Sequence, residues 1–323
     1  MSKRFAVRIG AFALFLANVV LASSACMAEQ LTPTLRGVNK VHWDQTSAGI
    51  YQTEANVIRF ALDFTKSAEA NYTLVKRVPH RITPIVGNWA ATCKQDEASL
   101  SSVVDTWIDQ SKFWTRLDGI INIANEWGPR YIYQERVSPW RRLPQHGWRD
   151  AYIKAIKRMR EAGYRNTLMI DAGGCGQDWQ DIANDGADVL AADPLHKIIF
   201  DLHIYGSLDT DAKLDAAFAG LSASHLPIFV GEFGPGAMIG PSKTPITPQN
   251  IVARAEAAHF GWAAWAWDDN DMAACKSDDN WFSMTRFCSH YDGSPNDLTK
   301  FGQVIVPLLA SLNRSPRTAS PGR

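Results

Sequence analysis

Two glutamates in this 323-residue chain follow runs of β-forming residues: Glu126 in "GIINIANEWG" (119–128) and Glu232 in "PIFVGEF" (227–233). Other reactive side chains sit in similar runs. Arg59 lies inside "NVIRFAL", Asp171 in "TLMIDAG", and His203 and Tyr205 in "IIFDLHIY". Two carboxylates from separate strands, surrounded by Arg, His, Tyr and Trp, suit glycoside hydrolysis. That reaction needs one carboxylic acid to protonate the departing oxygen and a second carboxylate to attack the anomeric carbon or activate water. The two need different pKa values: burial and a neighbouring negative charge raise one, while Arg and hydroxyl donors hold the other ionised. Arg59 suits the role of charge partner to the ionised one. Each residue also has a structural reading, Arg59 as the mate of a buried glutamate and His203 as a satisfied core histidine. Their joint placement at the ends of strands favours chemistry.

Eight short apolar runs would position these groups, at 35–39, 56–62, 81–87, 119–125, 167–173, 198–205, 227–233 and 261–267. Several are nearly continuous in hydrophobicity, as strands buried on both faces are. Between them lie segments with helical spacing: "ASLSSVVDTWIDQSKFWTRL", "WRDAYIKAIKRMREAGY", "DAKLDAAFAGLSAS", "TPQNIVARAEAAHF" and, last, "DLTKFGQVIVPLLASL". The helices before strands two, three and six read as shorter. Strands alternating with helices imply a parallel sheet, and eight such units in about 280 residues match an α/β fold of the (β/α)8 TIM-barrel type, whose chemistry sits at the C-terminal strand ends. An open doubly wound sheet fits less well, because no Gly-rich phosphate loop follows the first strand. Trp107 and Trp114 fall on a helical stripe and read as core. "DDND" after the eighth run lacks EF-hand spacing and reads as a solvated loop.

The first 28 residues, with Lys3, Arg4 and Arg8, an apolar run and then small residues, have the pattern of a secretory signal peptide. A lipidation motif ending at Cys26 would need Leu or Val where Ser23 stands. The expected catalytic domain spans 29–312, followed by a Ser/Pro/Arg-rich, disordered tail over 313–323. Formal net charge is zero, which argues against nucleic acid or an anionic membrane as partner. A monomer is expected. The 12 tryptophans are many and suit both a core and stacking on the flat faces of sugars. Cys275 and Cys288 are expected to pair around a short loop, a bridge worth about 3 kcal/mol; Cys93 and Cys175 then pair with each other or stay free. Zinc is not expected, since neither a CxxC pair nor clustered His accompanies them.

Taken together, "NVIRFAL", "INIANEWG", "TLMIDAGGCGQDW", "IIFDLHIYG", "LPIFVGEFGP" and "GWAAWAW" resemble glycoside hydrolase family 5, over a span from Leu35 to Trp267. The "GQDW" stretch is similar to bacterial β-mannanases of that family. The resemblance implies a retaining endo-β-1,4-glycanase acting on mannan-type or glucan-type polysaccharide, without metal or organic cofactor. It implies Glu126 as acid/base, Glu232 as nucleophile and Asn125 as donor to the sugar 2-hydroxyl. It further implies Arg59 and Tyr205 as holders of the nucleophile, His203 beside the acid/base and Trp267 as stacking platform. Trp89, Trp127, Trp179 and Trp281 are further expected platforms. Three departures stand out: Asn88 and Trp89 occupy the region where the family usually has a histidine, Cys175 the place of a bulky aromatic, and Trp127, directly after the expected acid/base, is not the family's commonest choice there. A carbohydrate-binding barrel without catalysis and a transglycosylase on the same residues are the alternatives.

Overall fold

In the computed structural model the described residues are 32–41, 48–131, 146–235, 246–268, 282–286 and 291–314. The expected signal segment, Cys26, Cys275, Cys288, Trp281 and all of the tail beyond Arg314 lie outside them. Eight parallel strands close into a barrel in sequence order. They are β1 Arg36–Lys40, β2 Val57–Leu62, β3 Thr83–Asn88, β4 Ile120–Asn122, β5 Thr167–Asp171, β6 Ile198–Ile204, β7 Ile228–Phe233 and β8 Gly261–Ala264. β1 pairs with both β2 and β8, which completes the ring. All eight expected strands are present. Outside them run α1 Ala68–Val75, α2 Glu97–Asp109, α3 Gly147–Glu161, α4 Trp179–Ala192, α5 Asp211–Ser224, α6 Pro248–Ala257 and α7 Gly302–Arg314. Ser67, Asp96, Asp178, Thr210 and Thr247 cap α1, α2, α4, α5 and α6 by accepting from backbone N–H groups of the first turn. No helix among the described residues is long and apolar enough to cross a membrane.

The barrel interior is layered along the period of two that a strand imposes. Its floor is apolar: Leu35, Val57, Ile85, Ile120, Met169, Ile199, Phe229 and Ala263 form one buried cluster. Two residues further along four of these strands stand Arg59, Asn122, Asp171 and Asp201, all fully buried. The alternation that seals the floor therefore aims four polar side chains into the mouth. At β7 the register slips by one residue between Leu202 and His203, so His203 lies opposite Glu232. That slip, a bulge in function, turns Glu232 toward the site although Gly231 holds the inward position. A Cβ on Gly231 would stand 2.1 Å from an Asp201 carboxylate oxygen, so only glycine fits there.

α4 is longer than its sequence suggests. Its buried face comprises Asp181, Ile182, Asp185, Gly186 and Val189, a proper helical stripe with acids and a glycine on it, which hides the hydrophobic period. Burial, helped by Asp178 and Asp185, pushes the Asp181 carboxyl up to about 9, so at neutral pH it packs as an uncharged group. Asp185 is paired with His146 Nδ1 at 2.8 Å.

The Asp181 shift makes a stability prediction. Folded Asp181 keeps its proton up to about pH 9, whereas an unfolded aspartate releases it near 3.8. Its contribution is thus complete below the lower value and lost as pH rises toward the upper. Urea unfolding at pH 5, 7 and 8 is expected to show the parent losing stability relative to Asp181→Asn as pH rises. A stability difference independent of pH would contradict the assignment.

Candidate active site

β2 delivers Arg59 to the centre of the mouth, where its guanidinium is bound from several sides. Nη1 donates to Glu232 Oε1 at 2.6 Å and to Asn39 Oδ1 at 3.2 Å. Nη2 donates to Asn125 Oδ1 at 2.7 Å and Asn122 Oδ1 at 3.0 Å, and lies 3.4 Å from Asp171. Nε lies 3.6 Å from Asp201 Oδ2. The Trp89 ring covers the guanidinium at 4.7 Å from its centroid, within cation–π range. Burial alone would weaken the guanidinium's hold on its proton, but Glu232, Asp171 and Asp201 outweigh that and move its pKa upward.

His203 is the second cation. Burial disfavours its charge, yet Glu232 and Asp201, with hydrogen bonds to Asp201 and Glu126, raise its pKa well above the ordinary histidine value. Its Nδ1 donates to Glu126 Oε1 at 3.0 Å and lies 3.6 Å from Glu232 Oε2. Its Nε2 lies 3.4 Å from Asp201 and 3.6 Å from Asp171. Nε2 is also 3.5 Å from Arg59 Nη2, a contact between like charges that the two buried aspartates offset. Burial first, then Asp201, pushes the Asp171 carboxyl up to about 7.

The two glutamates receive different surroundings. Glu232, whose side chain is 6% exposed, accepts from Arg59 on Oε1 and from the Tyr205 hydroxyl on Oε2 at 2.9 Å. Burial raises its pKa; His203 and Arg59 oppose the rise, and Glu126 adds to it. Burial, then Glu232, lifts the Tyr205 hydroxyl well above its ordinary range, so it stays a donor. Glu126 is more open, at 14% side-chain exposure. Its backbone N–H donates to Asp171 at 2.8 Å, and its φ is 53°, the left-handed region that non-glycine residues rarely occupy outside sites where the surroundings hold them there. One carboxylate oxygen of Glu126, one of Glu232 and a His203 nitrogen all lie within 4.8 Å of one another. Asp171, Asp201 and His203 form a second such group. Either has the donor types a divalent ion takes, but Arg59 and His203 already supply positive charge to every carboxylate in them.

The chain is similar to known proteins over most of its length. Residues 114–271 match the family model described as cellulase, glycosyl hydrolase family 5. The chain is 30% identical over 251 residues to a mannan endo-1,4-beta-mannosidase of Salipaludibacillus agaradhaerens, an alignment spanning 73% of this chain and 76% of that protein. The chain belongs to glycoside hydrolase family 5. A mannan endo-1,4-beta-mannosidase of Cellvibrio japonicus is 30% identical over 303 residues, 88% of this chain and 65% of the other. A β-mannanase structure from Streptomyces thermolilacinus with mannohexaose superposes with a TM-score of 0.68 at 26% identity, covering 88% of this chain and 91% of that one.

Of the side chains expected to serve this family 5 hydrolase, Arg59, Asn125, Glu126, His203, Tyr205 and Glu232 come together. Trp89 joins them, half-buried, with its ring 6.3 Å from that of Trp265. Three expected platforms are elsewhere. Trp267 is fully buried in the layer between barrel and helices, edge-on to Tyr291. β8 ends at Ala264, so its period of two does not extend to Trp267, and Trp265 is the one whose ring lies beside Trp89. Trp127 is 1% exposed; its indole N–H donates to the Asp96 carbonyl at 3.0 Å and its ring packs edge-on against Tyr152. It ties α2 to α3 and offers no face to a sugar. Trp179 starts α4 and packs on α5, where a Cβ on Gly220 would stand 2.2 Å from its ring. Asn88 is buried and its side chain accepts from the Ala90 N–H. Asn122 and Asp201 were not foreseen, although the period that points Arg59 inward also points them inward.

Arg59→Lys keeps one charge but cannot span these partners. Since the guanidinium opposes the burial-driven rise of Glu232, the acidic limb of the kcat/KM profile is expected to move to higher pH, with a loss of about a hundredfold or more at neutral pH. An unmoved limb would contradict the pairing. Trp265→Ala is expected to raise KM with the melting temperature little changed, whereas Trp267→Ala is expected to cost stability, about 3–5 kcal/mol.

Proposed function

We propose that this hydrolase is an exported, retaining endo-β-1,4-mannanase. The observation that carries the reading is the spacing and unlike dressing of the two glutamates. Oxygens within 4.8 Å of each other accord with the separation of about 5–5.5 Å used for retention, and leave no room for the water that inversion requires at about 6.5–9.5 Å. Arg59 and Tyr205 aim two donors at Glu232, which fits a carboxylate that must stay charged and attack. Glu126 has His203 on one oxygen only, which fits a group that carries a proton on the other.

In the proposed course Glu232 attacks the anomeric carbon while Glu126 gives its proton to the leaving oxygen. Tyr205 and Arg59 hold the attacking oxygens in line. The glycosyl–enzyme ester forms on Glu232, and Glu126, now a carboxylate, takes a proton from water as it displaces that ester. Asn125 gives one amide hydrogen to Thr92 Oγ1 at 3.0 Å; the other is available to a sugar 2-hydroxyl. Trp89 and Trp265 form the stacking wall. Mannan as substrate is supported by the names of the relatives, and export by the basic, apolar and small-residue order of the first 28 residues.

Reducing-sugar release from mannan, glucomannan, cellulose and mixed-linkage glucan tests the substrate. Release from mannan and glucomannan is expected to exceed that from cellulose by about tenfold or more; faster cellulose hydrolysis would sink the mannan reading. Proton NMR of the first product should show the β-anomer, and an α-anomer appearing first would mean inversion. Glu232→Gln is expected to lose roughly a thousandfold or more in kcat while keeping the parent's melting temperature.

A further inference from the structure

A disulfide joins Cys93, in the loop after β3, to Cys175, in the loop after β5, residues 82 apart in sequence with Cα atoms 4.5 Å apart. Strand β4, whose C-terminal end leads into Glu126, lies between those two strands. The bridge therefore spans the proton donor of the proposed reaction, and the inference rests on that reading. Cys93 is exposed and Cys175 half-buried, so the bridge borders the open side of the site.

Its contacts with Glu126 are direct. The Cys93 N–H donates to the Glu126 carbonyl at 3.2 Å. Cys93 Sγ lies 3.6 Å from Glu126 Oε2, while His203 binds the other oxygen, Oε1. A bridged sulfur carries no proton, so this contact is not a hydrogen bond: it packs an apolar atom on the oxygen that has to carry the proton. Cys93, Glu126 and Cys175 all have left-handed backbones, with φ of 57°, 53° and 58°. Such conformations persist where the surroundings over-determine them. Here the surroundings are three loops laced together: Gly128 donates to the Lys94 carbonyl at 3.0 Å, Gly174 to the Gly128 carbonyl at 2.9 Å, and the disulfide closes the outer end.

We propose that the Cys93–Cys175 bridge is a positioning element for the proton donor: it fixes the loops that hold Glu126 and keeps any competing donor away from Oε2. A free thiol or a serine hydroxyl at position 93 would place a donor beside that oxygen. A donor to the charged form favours the carboxylate, which weakens Glu126 as an acid. Opening the bridge thus attenuates catalysis most where protonation of the leaving group matters most. Dithiothreitol would open it by ordinary exchange, becoming its cyclic disulfide as both cysteines become thiols.

The test compares kcat/KM, which reports the first bond-breaking step, on two substrates. One is a β-1,4-linked manno-oligosaccharide, whose leaving group needs a proton; the other is 2,4-dinitrophenyl β-mannobioside, whose leaving group does not. The parent, C93A/C175A, C93S/C175S and the dithiothreitol-treated parent are measured. Thiol labelling confirms that positions 93 and 175 are reduced, and near-UV circular dichroism confirms that each sample is folded. For the opened forms a loss of about tenfold on the oligosaccharide is expected, below the full worth of a general acid, against less than twofold on the dinitrophenyl substrate. The loss on the oligosaccharide should be larger for C93S/C175S than for C93A/C175A. Equal losses on both substrates in folded protein, or an unchanged oligosaccharide rate, would overturn the proposal. A parent inactive on both substrates would instead sink the mannanase reading itself.

Discussion

The guanidinium of Arg59 lies buried within 3.6 Å of three carboxylates, those of Glu232, Asp171 and Asp201. Isolated charges in such a place would not survive: a carboxylate out of water takes up a proton unless a cation and hydrogen bonds compensate it. Arg59 and the protonated His203 supply that compensation for a cluster that also contains Glu126. The arrangement is reciprocal. The carboxylates keep both cations charged against burial, and the cations oppose the rise that burial imposes on Glu232. Asn39, Asn122 and Asn125 accept the remaining hydrogens on Nη1 and Nη2, so the fork is held in one orientation. The proposed nucleophile inherits that orientation through Nη1.

The rest of the barrel makes room for this network. An apolar floor seals the bottom, and the strand period raises a polar layer directly above it. Gly231 leaves space for the Asp201 carboxylate. Gly176, at φ 73°, leaves space for His203, whose Nδ1 would be 2.7 Å from a Cβ there. The tryptophans do a different job from the one their number suggests. Trp107, Trp114, Trp127, Trp148, Trp262 and Trp267 are all fully buried, filling the layer between barrel and helices. Trp89 lies over the Arg59 guanidinium with Trp265 beside it.

What the sequence revealed follows from which physical signals are local. Strands buried on both faces announce themselves as apolar runs, and all eight are where those runs fall. A carboxylate directly after such a run, as with Glu126, or within its last residues, as with Glu232, is equally visible. α4 was obscured because a protonated aspartate and a glycine sit on its buried face. The resemblance points to Trp267 as a platform, but β8 ends at Ala264, and no strand period fixes the directions of the tryptophans that follow. The Cys93–Cys175 bridge depends on two loops meeting across a third strand, and nothing in the spacing of 82 residues reports that. Trp127 follows Glu126 in sequence, but the left-handed turn at Glu126 sends it back into the core.

In the proposed reaction Glu232 attacks and Glu126 carries the proton. Incubation with a 2-deoxy-2-fluoro β-mannosyl fluoride, followed by proteolysis and mass spectrometry, tests it most directly, because the slowed second step lets the ester accumulate. One label per chain is expected, on the peptide containing Glu232 and assigned by fragmentation to that residue. A label on Glu126, or full turnover without any covalent adduct, would contradict it.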